Sequence, residues 1–423
     1  MVAAKEAFSV ARNVRALLVP PPGPAHLRPL DGLRAFSILW VVLFHAAWYA
    51  AWHIPPASYA AMLFSPAMLP VWRGDFGVDV FFVLSGFLIA GMLADERART
   101  GRIRLGLFYV RRLLRLWPAL GVAVLADVVL IGDNRGMAWA NLLYVSNFVP
   151  IAHAAMGWTW SLAIEEQFYL VCPWLVRALA AAGVGARMAV LGAIAGGLCV
   201  LGAWVAVGGG FAAFDAEIVV NRDLGRWALA FDHLYTKPWM RAGPLLAGVA
   251  AAYAYRAPGL VGAIGRARTG TWVALVSAIV VAALATHWPL FAGAPRGLEV
   301  VYLACFRTVF GSAVAVVLLV ALSDHPAGRL LGGLLSMRVL YPFSQLAYAA
   351  YLLNPIVTTC VDRVLAPLVW LGKAEPMALF LPFDFGGTFL AAAALHVFVE
   401  RPFMELRPRG DPSPRPPRAP ATA

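Results

Sequence analysis

Charge is scarce in this chain. Only 13% of its 423 residues are Asp, Glu, Lys or Arg, against roughly 25% in soluble domains, which excludes an ordinary water-facing surface over most of its length. Lysine is nearly missing: Lys5, Lys237 and Lys373 are the three among 34 basic residues, the rest being arginine. Cysteine is limited to Cys172, Cys199, Cys305 and Cys360. All four lie within or beside apolar runs without metal-ligand spacing, so they read as small packed residues rather than a disulfide frame or a metal site. The first thirty residues carry Lys5, Arg12, Arg15 and the break PPPGP but no hydrophobic core of a signal peptide. The expectation is an uncleaved first helix that serves as the anchor.

What the chain has in abundance is apolar sequence, 61% of its residues. Runs long enough to cross a bilayer fall at 33–53, 76–94, 114–132, 162–181, 187–207, 240–256, 271–290, 301–322, 339–359 and 377–399. The spacing predicts an all-α polytopic integral membrane protein with about ten transmembrane helices. Three regions are expected: a cytoplasmic N-terminal segment over 1–28, the membrane domain over 29–405, and a disordered Arg/Pro-rich tail over 406–423, with no soluble domain after it.

Orientation follows from the charge in the loops. One set holds Lys5 to Arg28, Arg97 to Arg115, Arg177 and Arg187, Arg256, Arg266 and Arg268, Arg329 and Arg338, and Arg401 to Arg418. The other holds Asp133, Asp215, Glu217, Asp223, Asp232, Glu299, Asp362, Glu375 and Asp384. The basic set belongs in the cytoplasm, which puts both termini inside a cell (plasma) membrane; the family resemblance described below implies the inner membrane of a bacterium. The net charge of +12 is distributed over these loops and so speaks for the lipid bilayer as partner and against nucleic acid.

Polar residues inside such runs are costly and mark function or pairing. Arg34 and His45 both sit in DGLRAFSILWVVLFHAAWYAAW, about 16 Å apart along a helix. If Arg34 marks the inner boundary of a core about 30 Å thick, His45 lies near the midplane. Asp79 falls at the outer end of GVDVFFVLSGFLIAGML, with Ser85 near the level of His45, and Glu165 and Glu166 fall a turn or two below the outer surface in WTWSLAIEEQFYL. His45, Asp79, Glu165 and Glu166 are therefore expected to meet in one outward-facing polar pocket. A neutral imidazole accepting the proton of an attacking hydroxyl, with a carboxylate fixing its tautomer, suits acyl transfer; a structural polar pair between helices is the plainer alternative. Ser85 is read first as a small-residue helix contact and second as the carrier of an acyl-serine. Asp79 is a candidate for substrate contact with Glu166 and Arg241, or a pairing partner for Arg241.

On the cytoplasmic side, FYVRRLLRLWP carries Arg111, Arg112 and Arg115. Arg111 and Arg115 are four apart and share a helix face. Such a fork suits phosphates, and a lipid-headgroup or topogenic cluster is the alternative. Glu400 is a candidate ion-pair partner for it. His153, His233 and His287 fall in outer loops without paired spacing, so no metal is expected.

Taken in order, LDGLRAFSILWVVLFH, GVDVFFVLSGFLI, YVRRLLRLWP, WSLAIEEQFYL, YTKPWMRAGPLLAG, AYAAYLLNPIV and VFVERPF resemble the acyltransferase-3 family of membrane O-acyltransferases, which includes bacterial O-antigen acetylases. The YTKPWMR and VDVFF segments are most similar to its nose-resistant-to-fluoxetine-like branch. The resemblance covers roughly 28–405. It implies transfer of a small acyl group, often acetyl, from cytoplasmic acyl-CoA as co-substrate to a hydroxyl of an extracytoplasmic or lipid-linked carbohydrate, with no tightly bound cofactor. It implies His45 as the base, Arg34 as its motif partner, Arg112 and Arg115 as the arginine motif, and Glu165 as a further site residue. Asn354 stands where many members have His, and an amide cannot act as a base. O-acylation of a secondary metabolite such as a glycosylated macrolide, a transporter or acyl-group exporter using the same intramembrane charges, and a non-catalytic membrane partner are the remaining alternatives.

Overall fold

A computed structural model describes residues 6–21, 27–211, 223–287, 294–372 and 375–408. Lys5, Asp215, Glu217 and the tail beyond 408, on which parts of the charge and tail readings rest, lie outside the described residues. Every regular element among the described residues is helical.

An amphipathic helix α1 (Val10–Leu18) precedes the long helices α2 (Arg28–Ala51), α3 (Phe76–Thr100), α4 (Leu105–Leu130), α5 (Trp160–Ala178), α6 (Val184–Gly208), α7 (Pro238–Arg256), α8 (Arg268–Thr286), α9 (Arg296–Ala321), α10 (Leu340–Trp370) and α11 (Pro376–Leu395). Eight of these, with α11 extended to Glu405, are long and apolar enough to cross a membrane. The other two, α5 and α7, have 19 residues each but carry Glu165, Glu166 and Arg241 within the run. All ten expected spans are thus helices of spanning length. The third begins nine residues before the apolar run, because the arginine motif is wound into its first turns instead of preceding it.

The helices pack where small residues let backbones meet. A Cβ placed on Gly86 of α3 would lie 2.1 Å from the Leu245 carbonyl of α7, and one on Gly248 of α7 would lie 2.1 Å from the Val83 carbonyl of α3. Neither position admits a side chain, so α3 and α7 are locked in one register. That lock leaves Ser85 on an adjoining face of α3. The helix ends at Gly101, whose φ of 72° is a left-handed cap that glycine adopts without strain.

Helix α2 packs against α10 and α11, bringing the middle of the first span beside the middle of the ninth. The last helix widens into a π-helical turn over His396–Glu400 before closing with Arg401–Glu405. A π turn misaligns the backbone ladder, and Asn13 Nδ2 of α1 donates 3.1 Å to the Val397 carbonyl there. The N-terminal segment therefore clamps the end of the last span.

Candidate functional site

Two polar centres are separated along the bundle axis. The first surrounds His45 in the middle of α2. Its Nδ1 lies 2.6 Å from Asn354 Oδ1 of α10. Asn354 Nδ2 donates to Thr358 Oγ1 at 3.3 Å and to Thr388 Oγ1 at 3.1 Å, which turns the amide oxygen toward the imidazole. A carbonyl oxygen only accepts, so this network assigns the proton to Nδ1 and leaves the lone pair on Nε2. Asn354, which has no capacity as a base, thereby orients one. The expected pocket of His45 with Asp79, Glu165 and Glu166 is not formed.

Asp79 is instead locked with arginine. Arg241 Nη1 donates to both of its oxygens at 3.0 and 3.1 Å, and Arg307 Nη1 donates at 2.5 Å. Arg307 Nη2 also bonds Asp75, whose other oxygen faces Arg73 at 3.3 Å. Arg241 and Asp79 have no solvent exposure. The Arg241 Nε and Nη2 groups make no hydrogen bond, and its guanidinium stacks between Trp160 at 4.5 Å and Tyr235 at 4.2 Å. Asp79 and Arg241 are thus paired with each other, the second of the two arrangements expected for them: two carboxylates buried in an apolar bundle need cations. Arg307 and Asp75 went unnoticed in the sequence, although an arginine within CFRTVF is a charge inside a span.

The second centre is a cavity of about 380 Å³. At the end carrying the basic loops it is lined by Arg34, Arg112, Arg115, His396, Glu400 and Met404; farther along lie Ser85, Glu165 and Tyr169, and then Val78, Ser161 and Tyr351. Ser85 Oγ donates to Glu165 Oε1 at 2.8 Å and accepts from Tyr169 OH at 3.2 Å. Glu165 is therefore a cavity residue partnered by Ser85 and not the carboxylate behind His45. Glu166, on the next position of α5, is absent from the lining, and its Oε1 is buried without a hydrogen bond. Of the arginine motif, the pair three apart, Arg112 and Arg115, faces the cavity. Arg111 turns away and donates from Nε to the Pro408 carbonyl at 3.0 Å. Glu400 does not neutralise the cluster, because its Oε2 is taken by His396 Nδ1 at 2.8 Å.

His45 does not line the cavity. The two centres nonetheless adjoin, since Tyr351 and Asn354 are three apart on α10, about 4.5 Å of helix rise. Tyr351 OH donates to the Trp158 carbonyl at 2.6 Å and meets Ser161 Oγ at 2.5 Å, which makes it a fixed post at the end of the cavity nearest His45.

The sequence is similar to O-acetyltransferase OatA of Staphylococcus aureus (strain NCTC 8325 / PS 47), 35% identical over 176 residues that make up 37% of this chain and 26% of that protein. It is also 34% identical over 164 residues to peptidoglycan O-acetyltransferase OatA of Listeria monocytogenes, covering 34% of this chain and 23% of the relative. The chain thus spans about a quarter of the length of the curated relatives it matches. No solved structure matches it. The acyltransferase-3 family, described as an acyltransferase domain, matches residues 28–397, a stretch that holds His45, Asn354 and nearly all of the cavity lining, and the chain belongs to that family.

Proposed function

We propose that this protein is a membrane O-acyltransferase that moves a small acyl group, acetyl in the first instance, from cytoplasmic acyl-CoA to a hydroxyl of a carbohydrate presented at the outer face. The carrying observation is the continuity of the cavity: it begins among Arg34, Arg112 and Arg115 and ends at Tyr351, one turn from the His45–Asn354 pair. Arginines at one end suit the phosphates of the donor. The apolar middle, lined by Phe81, Leu84, Leu88 and Ile89, suits a narrow flexible arm. Glu165 faces that space and is a hydrogen-bond acceptor for the amide N–H groups such an arm carries.

At the far end His45 Nε2 accepts the proton of the acceptor hydroxyl while its oxygen attacks the thioester carbonyl. The C–S bond then breaks, and the sulfur leaves with the proton that His45 returns. Asn354 Oδ1 holds Nδ1–H throughout, keeping the tautomer that exposes Nε2 and favouring the imidazolium between the two transfers. The acyl group crosses the bilayer while the nucleotide part of the donor stays at the arginine end. The name of the Listeria relative, a peptidoglycan O-acetyltransferase, makes peptidoglycan, or its lipid-linked precursor, the first acceptor to examine.

Radiolabelled acetyl-CoA incubated with membranes bearing wild type or His45→Ala tests this reading. Hydroxylamine-labile label in extracted glycans or lipids from wild type alone is the expected result. Label at the same level in both overturns the role of His45, and none from acetyl-CoA or longer acyl donors overturns the transferase.

A further inference from the structure

The family match ends at residue 397, and the described chain continues to Pro408, with Glu400 and Met404 lining the cavity. Four contacts hold this strap. Asn13 Nδ2 bonds the Val397 carbonyl, Glu405 pairs with Arg12 at 3.2 Å and with Arg401 at 2.7 Å, and Arg111 Nε bonds the Pro408 carbonyl. Arg407 is fixed in turn, its Nε donating to the Met404 carbonyl at 2.7 Å, one residue of which, Met404, lines the cavity.

The result is a concentration of like charge. Arg407 stands among Arg115, Arg112, Arg401 and Arg111, and burial together with those neighbours lowers its guanidinium from the ordinary range to about 10. The carboxylates of the strap are already engaged, Glu405 by Arg12 and Arg401 and Glu400 by His396, and Glu165, deeper in the cavity, is bonded by Ser85. Among the described residues no carboxylate lies within ion-pair distance of Arg111, Arg115 or Arg407. Elsewhere at the same end of the bundle Arg256 is matched by both oxygens of Asp95 at 2.7 Å, so the fold neutralises arginine where it has no other use for it. Crowded guanidinium groups wound onto fixed helices and tied to one another are disfavoured unless an anion with several oxygens joins them.

We infer that the strap Arg401–Pro408 completes an anion site, in which Arg407 joins Arg112 and Arg115 as a ligand for the phosphate groups of the donor. This rests on the donor reading above and adds a residue beyond the family's domain. Arg111 acts through the strap: by holding Pro408 it positions Arg407 and is itself no ligand. The chemistry recognised is a phosphate ester or pyrophosphate. A nucleotide-linked donor and an anionic lipid headgroup share it, and the site lies on the cavity that leads toward His45, which favours the donor.

Full-length protein in phosphatidylcholine nanodiscs, titrated calorimetrically with coenzyme A, decides the matter. Arg407→Ala is expected to weaken binding about tenfold, the loss of one charge-assisted contact, with Arg407→Lys recovering part of it and Arg115→Ala weakening it at least as much. Repeating the titration with the form lacking the 3′-phosphate assigns the contact. A vanished difference between wild type and Arg407→Ala places Arg407 on that phosphate, and a persisting one places it on the pyrophosphate. Wild-type affinity in a monodisperse Arg407→Ala protein, with Arg115→Ala still impaired, overturns the inference and leaves the donor reading standing. Nanodiscs containing phosphatidylglycerol test the other source: an Arg407→Ala effect confined to them, as relief of competition by lipid, makes the strap a headgroup site and overturns its place in donor binding. No binding of coenzyme A by wild type overturns both readings.

Discussion

Two arginine clusters sit at opposite ends of this bundle and do opposite things. At the end carrying the acidic loops, Arg73, Arg241 and Arg307 meet Asp75 and Asp79, with aromatic rings covering the faces of Arg241 and Arg307. At the other end Arg112 and Arg115 line a cavity with Arg34, and Arg407 stands beside them, held to the carbonyl of the lining residue Met404. Residue type does not distinguish the two. Carboxylate supply does: a guanidinium held by a carboxylate becomes structure, and one without such a partner, even where rings flank it as Tyr169 and Phe108 flank Arg112, is left with charge to offer a ligand. Buried pairs seldom add much net stability, but opening one strands a charge in a low dielectric. The first cluster is therefore expected to fail as a fold and the second as a binding site.

Four substitutions break or sharpen that contrast. The largest effect belongs to neither cluster but to the group they flank: His45→Ala should lower transfer by two to four orders of magnitude, as loss of a positioned base does, with coenzyme A affinity retained in the same calorimetric titration. Asp79→Ala should cost about 3–5 kcal/mol, because Arg241 and Arg307 remain buried without their counter-charge. Thermal unfolding followed by size-exclusion fluorescence would register this as a collapse of the monodisperse peak about 5–15 °C early; an unchanged profile would favour Asp79 as a substrate contact. Asn354→Leu removes the acceptor of His45 Nδ1–H and should lower kcat about tenfold with KM little changed, the worth of one hydrogen bond at the reacting group. A raised KM with intact kcat would show that Asn354 touches substrate instead. Ser85→Ala should be mildest, within about threefold of wild type, since Tyr169 OH also lies 3.4 Å from Glu165 and one neutral contact is lost. Complete inactivity in a folded Ser85→Ala protein would establish the acyl-serine route that the 2.8 Å contact with Glu165 makes geometrically available.

Much of the architecture was legible because a bilayer leaves the backbone so few choices. Each of the ten apolar runs carries a long helix among the described residues, and the pairing of Asp79 with Arg241, one of two readings of those residues, is the one the fold adopts. The polar pocket was misread for an identifiable reason. Depth along a helix follows from 1.5 Å per residue, and by depth alone His45 and Glu165 belong together. The direction each side chain faces depends on which helices are neighbours, and α2 packs against α10 and α11 while α5 packs against α3. His45 accordingly meets Asn354, and Glu165 meets Ser85. The same limit applied to the arginine motif: spacing put Arg111 and Arg115 on one face, whereas the cavity selects Arg112 and Arg115.

The sequence by itself determined the helical class, the number of long helices, the asymmetry of charge between the two ends, and the residues too costly to bury without a purpose. Those follow from local rules, apolar length and the price of a charge in hydrocarbon. Tertiary structure alone decided which of those residues are partners. It gave Arg241 a carboxylate and, among the described residues, none to Arg407, turned a non-basic amide into the group that orients the base, and brought Glu400 and Met404 of the strap to the cavity. Partnership is a property of helix packing, and the close approach at Gly86 and Gly248 and the π turn at His396–Glu400 become visible only once the helices are side by side.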